Sequence, residues 1–522
     1  MQCPLCLRIL PIFGQNTGTL VASDKSDGRI AIREFRLLMR IDSTIQKKCA
    51  MCGESDEKAG RANKQPRCAT LKGVYMKTGL KKRASDTQII AMGFFLLILA
   101  GTVLLCLPWA SRSRTWTSVS DALFTAVSAS CVTGLVVVDT YTHWSWFGRG
   151  IILVLIQIGG LGFMTIATQF FVLMRHRIGL RTRETLSESI STTQIGGILQ
   201  LTKQIICGTA MIEGAGAVLL AFRFCPQFGV PHGLVYSVFH AVSAFCNAGF
   251  DLMGCFEPYG SLTPYAQDPL VVLTITALIL IGGVGFIVWN DMVRFRFHFR
   301  KYRLHSKIVL CMTGALTVGG MLLFLLFERN ATSAGMSTGG RLLTALFDAV
   351  TPRTAGFNTV DTAQMSDSGK LLTIFLMFIG GSPGSTAGGV KTTTIAVIWL
   401  YTAAYIGRRS SFGAFERRIH PDIVKKSCVV LCTNMMLALT GALWITAADG
   451  LPLVDVLFET FSAVGTVGMS TGITRDLSTM SRILIMLLMY CGRVGSLSFA
   501  IALTERKAPP DVKNPIEPIV VG

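Results

Sequence analysis

Long unbroken apolar blocks, rather than alternating or amphipathic patterns, dominate this chain. Blocks of about 20 residues, enough to carry a helix across a hydrocarbon core of roughly 30 Å, lie near 87–108, 149–174, 203–222, 268–293, 306–327, 371–403, 426–447 and 479–504. The pattern predicts eight membrane-spanning helices. Between the two spans of each successive pair lies a shorter apolar segment: "ALFTAVSASCVTGL" ending at Leu135, "SVFHAVSAFCNAGF" at Phe250, "ALFDAVTPRTAGF" at Phe357 and "VLFETFSAVGTVGM" at Met469. Each begins with an apolar residue before Phe, continues for about three helical turns, and closes on glycine plus an apolar residue. The second span of each pair carries a matching mark: "IGGLGF" at 158–163, "IGGVGF" at 281–286, "IGGSPG" at 379–384 and "CGRVGS" at 491–496. The unit is span, short helix, glycine turn, span, and it occurs four times.

A helix of about 11 residues rises roughly 16 Å, so the short helix reaches only halfway through a bilayer. The chain after it returns as irregular backbone, which is tolerated at that depth only when protein buries it or it lines a wet cavity. Four such loops around one axis satisfy the condition together. Glycine lets carbonyls turn inward without a Cβ clash, and a ring of carbonyls can replace the hydration shell of a cation. The short helices add their negative dipole ends at the same place. The expected ring is Val132, Thr133 and Gly134; Asn247, Ala248 and Gly249; Thr354, Ala355 and Gly356; and Thr466, Val467 and Gly468. A single glycine of this kind is explained by close helix packing; four aligned loops favour a pore. The expected fold class is an all-α polytopic membrane protein whose four helix–pore-loop–helix repeats form a pseudo-four-fold, potassium-channel-like pore. The division is 76–183, 184–302, 303–415 and 416–505 for the repeats, with a leader at 1–75 and a short tail at 506–522.

Composition agrees with a membrane protein: 51% of the 522 residues are hydrophobic and 15% charged, with a mean hydropathy of +0.52. The net charge of +19 would suit nucleic acid, but outside the N-terminal extension its bases cluster at 175–183, 294–307 and 408–426, after every second span. That is a topology signal, placing those loops and both termini in the cytoplasm, and no aromatic-interleaved basic domain supports nucleic-acid binding. Residues 1–85 hold 17 Lys plus Arg against 7 Asp plus Glu, without apolar periodicity, and read as a disordered leader. They carry two CxxC pairs, Cys3/Cys6 and Cys49/Cys52, and also Cys68. The pairs stand too far apart for a common zinc ribbon, so a start of translation at Met76 competes with a zinc-sensing reading.

Ionisable residues at membrane depth are costly unless paired or wet. Glu213, Lys391 and Arg493 are the candidates. Arg493 takes the place of Gly160, Gly283 and Gly381 in the repeat mark, where a cation beside a cation path would act as a barrier; a bundle salt bridge is the competing role. Lys391 is expected to snorkel toward the cytoplasm. Asp121, Asp348 and Glu459 are expected to complement dipoles near the starts of the short helices. The stretch "IGGSPGSTAGGVKTTT" (379–394) places five glycines and a proline inside an apolar run. Helix there costs roughly 1 kcal/mol per glycine and about 3 for proline, so the segment should open into a loop. The loop Gly381, Ser382, Pro383, Gly384, Ser385, Thr386, Ala387, Gly388 and Gly389 is expected, with Arg493, to form a gate below the filter, movable because few packed contacts hold it. Gly356 to Gly380 and Gly468 to Gly492 are both 24 residues apart, which puts loop and arginine at one level.

The motifs "VTGLVVVDT", "AFCNAGFDL", "TPRTAGFNT", "GTVGMSTG" and "GGSPGSTAGGVKTTT" resemble the Trk/Ktr/HKT superfamily of potassium transporters, and specifically its KtrB-type membrane subunit, over about residues 76–522. The resemblance implies a pseudo-tetrameric pore within one chain, a homodimer, and control by a cytosolic ring of nucleotide-binding (KtrA-like) subunits. It implies potassium as the substrate at the filter, with possible sodium dependence and no covalently bound cofactor. Members with serine at the first filter position tend to carry sodium, so Gly134 argues for potassium; a sodium-permeable transporter of the same fold is the alternative. Cys131 and Cys246 depart from the hydroxyl or amide residues expected before the filters. A membrane enzyme is the reading from another class, but the phosphate-loop pattern fails because Val390 separates Gly389 from Lys391.

Overall fold

The structure, a computed structural model, describes residues 86–162, 165, 198–296, 298–409, 411–495 and 517. All but Glu517 form the helical body treated below, within a unit that begins at Arg83. The expectations for the leader 1–75, the basic segment 175–183 and the tail 506–522 apart from Glu517 fall outside the described residues.

The described chain is mainly helical. In order the helices are α1 (Asp86–Cys106), α2 (Val119–Ser130), α3 (Trp146–Leu161), α4 (Ile198–Phe228), α5 (Val230–Phe245), α6 (Pro269–Val284), α7 (Phe286–Phe295), α8 (Leu304–Phe327), α9 (Thr338–Val350), α10 (Asp367–Phe378), α11 (Thr392–Ile406), α12 (Pro421–Asp449), α13 (Leu453–Gly465) and α14 (Thr479–Val494). A two-residue hairpin, β1 (Gly413–Ala414) with β2 (Arg417–Arg418), departs from the purely helical expectation. Serine side chains start many of the helices. Ser118, Ser145, Ser337, Ser366 and Ser478 each accept a first-turn backbone N–H, satisfying donors that a helix leaves unpaired.

The first span of each predicted pair is a continuous apolar helix: α1, α4, α8 and α12 are each long and apolar enough to cross a membrane. Their outward faces are greasy, with Phe222, Leu326 and Leu443 more than two-thirds exposed, as lipid-facing helices require. The second spans are not continuous. α3, α6 and α14 stop at Gly162, Gly285 and Gly495, whose φ angles are +85°, +100° and +94°. After Gly285 the chain turns through 97° into α7, and the third second span opens between α10 and α11. Positive φ ends a right-handed helix, and a glycine inside an apolar block gives hydropathy no reason to show the break.

The short helices α2, α5, α9 and α13 occupy the interior. Phe124, Phe347 and Phe458 are fully buried and Phe239 nearly so; they are the third residue of each repeated segment. The closing residues Leu135, Phe250, Phe357 and Met469 are buried as well. Core packing therefore holds all four turns from both sides.

Candidate ion path and loop beneath it

Each short helix ends three to six residues before its glycine, and there the backbone takes an unusual form. The first residue of each predicted triplet is left-handed although none is glycine: φ is +56° at Val132, +59° at Asn247, +78° at Thr354 and +52° at Thr466. The third is left-handed too, with φ of +93°, +69°, +79° and +97° at Gly134, Gly249, Gly356 and Gly468. Such angles cost a non-glycine residue of the order of 1–3 kcal/mol, so other interactions must hold them.

The seventh residue of each quoted segment supplies those interactions. The Ser128 carbonyl accepts the Thr133 N–H at 2.8 Å and its hydroxyl accepts the Gly134 N–H at 3.0 Å. Ser462 repeats the pattern with Val467 at 2.8 Å and Gly468 at 3.1 Å. In the second and third segments the hydroxyl donates instead, Ser243 to the Phe250 carbonyl at 2.7 Å and Thr351 to the Phe357 carbonyl at 2.6 Å. The fourth residue of each segment forms another layer. His240 Nε2 accepts the Leu252 N–H at 3.3 Å, Asp348 accepts from the Thr359 hydroxyl at 3.4 Å, and Glu459 accepts from the Thr474 hydroxyl. These residues tie the segment leaving each turn back to its short helix; the first repeat has Thr125 there, bonded within its own helix. The sequence reading missed both layers, although aligning the four segments shows a hydroxyl recurring at the seventh place. It also misassigned two acids. Only Asp121 lies in a first helical turn; Asp348 is in the last turn of α9 and Glu459 in the middle of α13, so neither complements an N-terminal dipole.

The four glycines meet one another in sequence. A Cβ on Gly134 would collide with the Ala248 carbonyl oxygen, and one on Gly249 would stand 2.8 Å from that of Ala355. On Gly356 it would collide with the Val467 carbonyl, and on Gly468 with the Thr133 carbonyl. Each middle carbonyl of a triplet thus lies against the glycine of a neighbouring loop. Asn247 adds a side-chain bond to Thr354, 3.3 Å long. The side chains of Val132, Thr133, Asn247, Ala248, Thr354, Ala355, Thr466 and Val467 are all buried. All four glycines border one cavity of about 400 Å³, together with Asp139, Asp251, Glu257, Asp361 and Arg475. Burial, with a smaller push from the Asp139 charge, raises the Asp251 carboxyl to about 7.

Residues 379–391 form the expected break between α10 and α11, pinched at its base by the Gly380 N–H to Val390 carbonyl bond of 2.8 Å. The expectation that few contacts hold it is not met. Ser382 N–H donates to the Gly283 carbonyl at 3.0 Å, the Thr386 hydroxyl donates to the Phe245 carbonyl at 3.1 Å, and the Gly384 carbonyl accepts the Phe286 N–H at 2.8 Å. A Cβ on Gly388 would collide with the Thr466 hydroxyl, and Gly389 packs against Gly465. Five glycines leave many backbone groups without helical partners, and at this depth protein must satisfy them. Pro383, Gly384, Ser385 and Gly389 are half-buried, while Gly381, Ser382, Thr386, Ala387 and Gly388 are buried.

Arg493 of α14 donates to the Thr386 carbonyl of this loop and to the carbonyls of Gly159 and, at 3.1 Å, Gly160 in α3. No carboxylate pairs with it among the described residues, so the bundle salt bridge gives way to a carbonyl clamp. Lys391 does not snorkel: its Nζ turns back to the carbonyls of Ala387 at 2.6 Å and Gly388 at 3.3 Å. Glu213 accepts from Gln157 Nε2 at 3.1 Å and from the Cys246 thiol at 3.8 Å. Cys131 and Cys246 are both buried.

Apolar spanning helices around an acid-mouthed cavity bordered by backbone carbonyls describe a membrane transport protein. The chain belongs to the TrkH family, described as cation transport proteins, whose sequence profile matches residues 74–511. It is 40% identical over 454 residues to the potassium/sodium uptake protein NtpJ of Enterococcus hirae, covering 86% of this chain and 99% of that protein. It is also 40% identical over 426 residues to the Ktr system potassium uptake protein B of Bacillus subtilis, covering 81% and 94% respectively. Its fold matches the crystal structure of the potassium transporter TrkH from Vibrio parahaemolyticus with a TM-score of 0.63 at 20% identity, over 82% of this chain and 86% of that one. The chain is a transporter rather than an enzyme.

Proposed function

We propose that this protein takes up potassium across the cell membrane through a pore made by its four repeats, 76–183, 184–302, 303–415 and 416–505. The observation that carries the reading is the mutual approach of Gly134, Gly249, Gly356 and Gly468, each facing a neighbouring loop's carbonyl at the floor of one acid-lined cavity. The twelve triplet residues hold the ion by backbone carbonyls, which replace its water shell. Asp139, Asp251, Glu257 and Asp361 concentrate cations at the mouth. The loop 381–389 blocks the path beneath the filter, and Arg493 locks it by joining it to α3.

In this reading the chain works as a homodimer with both termini cytoplasmic, and a cytosolic nucleotide-binding ring moves the helices that hold the loop. The names of the Bacillus and Enterococcus relatives support uptake of potassium. The Enterococcus name also supports a second reading, in which sodium passes or is required. The test is uptake by cells lacking their own potassium transporters, with and without sodium and with and without the cytosolic subunit. Potassium uptake above background, raised by that subunit, is the expected result; sodium uptake without potassium uptake would overturn the potassium reading.

A further inference from the structure

Away from the acid-lined cavity, a recess of about 280 Å³ opens between α3 and α5, lined by apolar side chains such as Leu153, Leu234 and Val238, with Arg149 also on its wall. Leu234 and Val238 are nearly half exposed, so no described part of the protein covers them. Arg149 is 6% exposed, and no carboxylate pairs with it among the described residues. Its guanidinium lies 4.5 Å from the Tyr141 ring centre and 4.7 Å from that of Trp146, and it donates to the Tyr141 carbonyl at 2.5 Å, while its Nε has no partner among the described residues. Arg112 approaches the same tyrosine ring at 5.6 Å. A buried cation whose Nε has no partner among the described residues therefore stands on the wall of an apolar recess, with Arg112 against the same tyrosine ring, a charge pattern that suits an anion with a hydrocarbon tail. Gly150 supplies an independent observation: a Cβ built on it meets nothing within 4 Å. Glycine in a helix interior costs about 1 kcal/mol relative to alanine, and here no described packing requires it; its effect is to leave the recess open.

We propose that this recess binds one anionic phospholipid from the leaflet on the side of the acid-lined cavity. Its phosphate sits on Arg149 and Arg112, and an acyl chain runs past Gly150 to Leu153. The proposal needs only the membrane setting and is independent of the filter assignment. The occupant would also press on Leu252, which lines the recess and is held by His240 behind the second glycine turn.

The test uses the full chain in phosphatidylcholine nanodiscs doped with phosphatidylglycerol that carries a photoreactive acyl chain. Crosslinks are expected at Leu153 and Val238, competed by unlabelled phosphatidylglycerol but neither by added phosphatidylcholine nor by glycerol phosphate. Gly150→Leu, which places a strong helix former into open space, should lower this labelling at least tenfold. Arg149→Gln should reduce the preference for the anionic lipid about tenfold, equivalent to about 1.4 kcal/mol. Should Arg149→Gln fail to fold, Arg112→Gln, at an exposed position, should lower the same preference severalfold. Equal competition by phosphatidylcholine, competition by glycerol phosphate alone, or wild-type labelling in a folded Gly150→Leu protein would each overturn the proposal.

Discussion

At the scale of single residues, the glycines of the proposed filter carry two constraints at once. Gly134 has a φ of +93°, and a side chain there would strike the Ala248 carbonyl. Gly134→Ser is therefore expected to displace a carbonyl of the second loop as well as its own, and to lower the ratio of potassium to sodium uptake severalfold. Measuring both uptakes for the two forms at matched membrane abundance decides it; an unchanged ratio would remove Gly134 from the filter. Ser462 makes a second case, because its hydroxyl accepts the Gly468 N–H. Ser462→Ala leaves that part-buried donor without its protein partner, at a cost of up to about 1–3 kcal/mol. The thermal midpoint in detergent should fall, and selectivity should weaken with it, whereas a variant as stable and selective as the parent would mean the hydroxyl is dispensable.

The break between α10 and α11 is best understood as an element. Its base is pinched by the Gly380 to Val390 hydrogen bond, so removing residues 382–388 leaves two ends already close together. That deletion should raise potassium flux in the absence of the proposed cytosolic subunit while the protein still reaches the membrane. Flux that still depended fully on the subunit would reduce the loop to a packing feature. Arg493→Gln tests the same element through its clamp: it weakens the charge-assisted bonds to Thr386 and Gly159, and bonds to charged groups contribute about 1.5–3 kcal/mol each. Subunit-independent flux should rise here too, by less than in the deletion, because the bonds from Ser382 and Thr386 to α6 and α5 remain.

At the scale of the whole molecule, acids from three of the proposed repeats face one cavity with a single arginine, Arg475, from the fourth. Their summed field should raise local cation concentration and be screened by salt over about 8 Å at physiological ionic strength. Glu257→Gln is expected to raise the KM for potassium at low ionic strength, the difference shrinking as an impermeant salt is added; a salt-independent effect would point to structural damage instead. Asp251 adds a pH dependence. With its carboxyl raised to about 7 by burial, it is mostly neutral at pH 6 and mostly charged at pH 8. The KM for potassium should accordingly fall as pH rises across that window, and Asp251→Asn should flatten the change.

The sequence alone determined the membrane setting and the position of each glycine turn, because burial in lipid restricts composition locally: apolar blocks, a short helix, then glycine. It also marked 379–391 as non-helical, since the glycines and Pro383 carry that cost wherever the segment lies. It did not reveal that α3, α6 and α14 end at Gly162, Gly285 and Gly495, because one glycine hardly changes the hydropathy of an apolar block. Nor did it place Asp348, Glu459 and His240 behind the returning segments, where their partners Thr359, Thr474 and Leu252 lie 11 to 15 residues away and are reached only after the chain has turned back. The partners of Arg493, and those that tie the loop 381–389 to α5, α6 and α14, lie far away in sequence and are mostly backbone carbonyls, which every residue possesses and no sequence pattern singles out. Only tertiary packing decides which carbonyl meets which donor, and that choice made a firmly bonded loop of a segment whose composition suggested a loose flap.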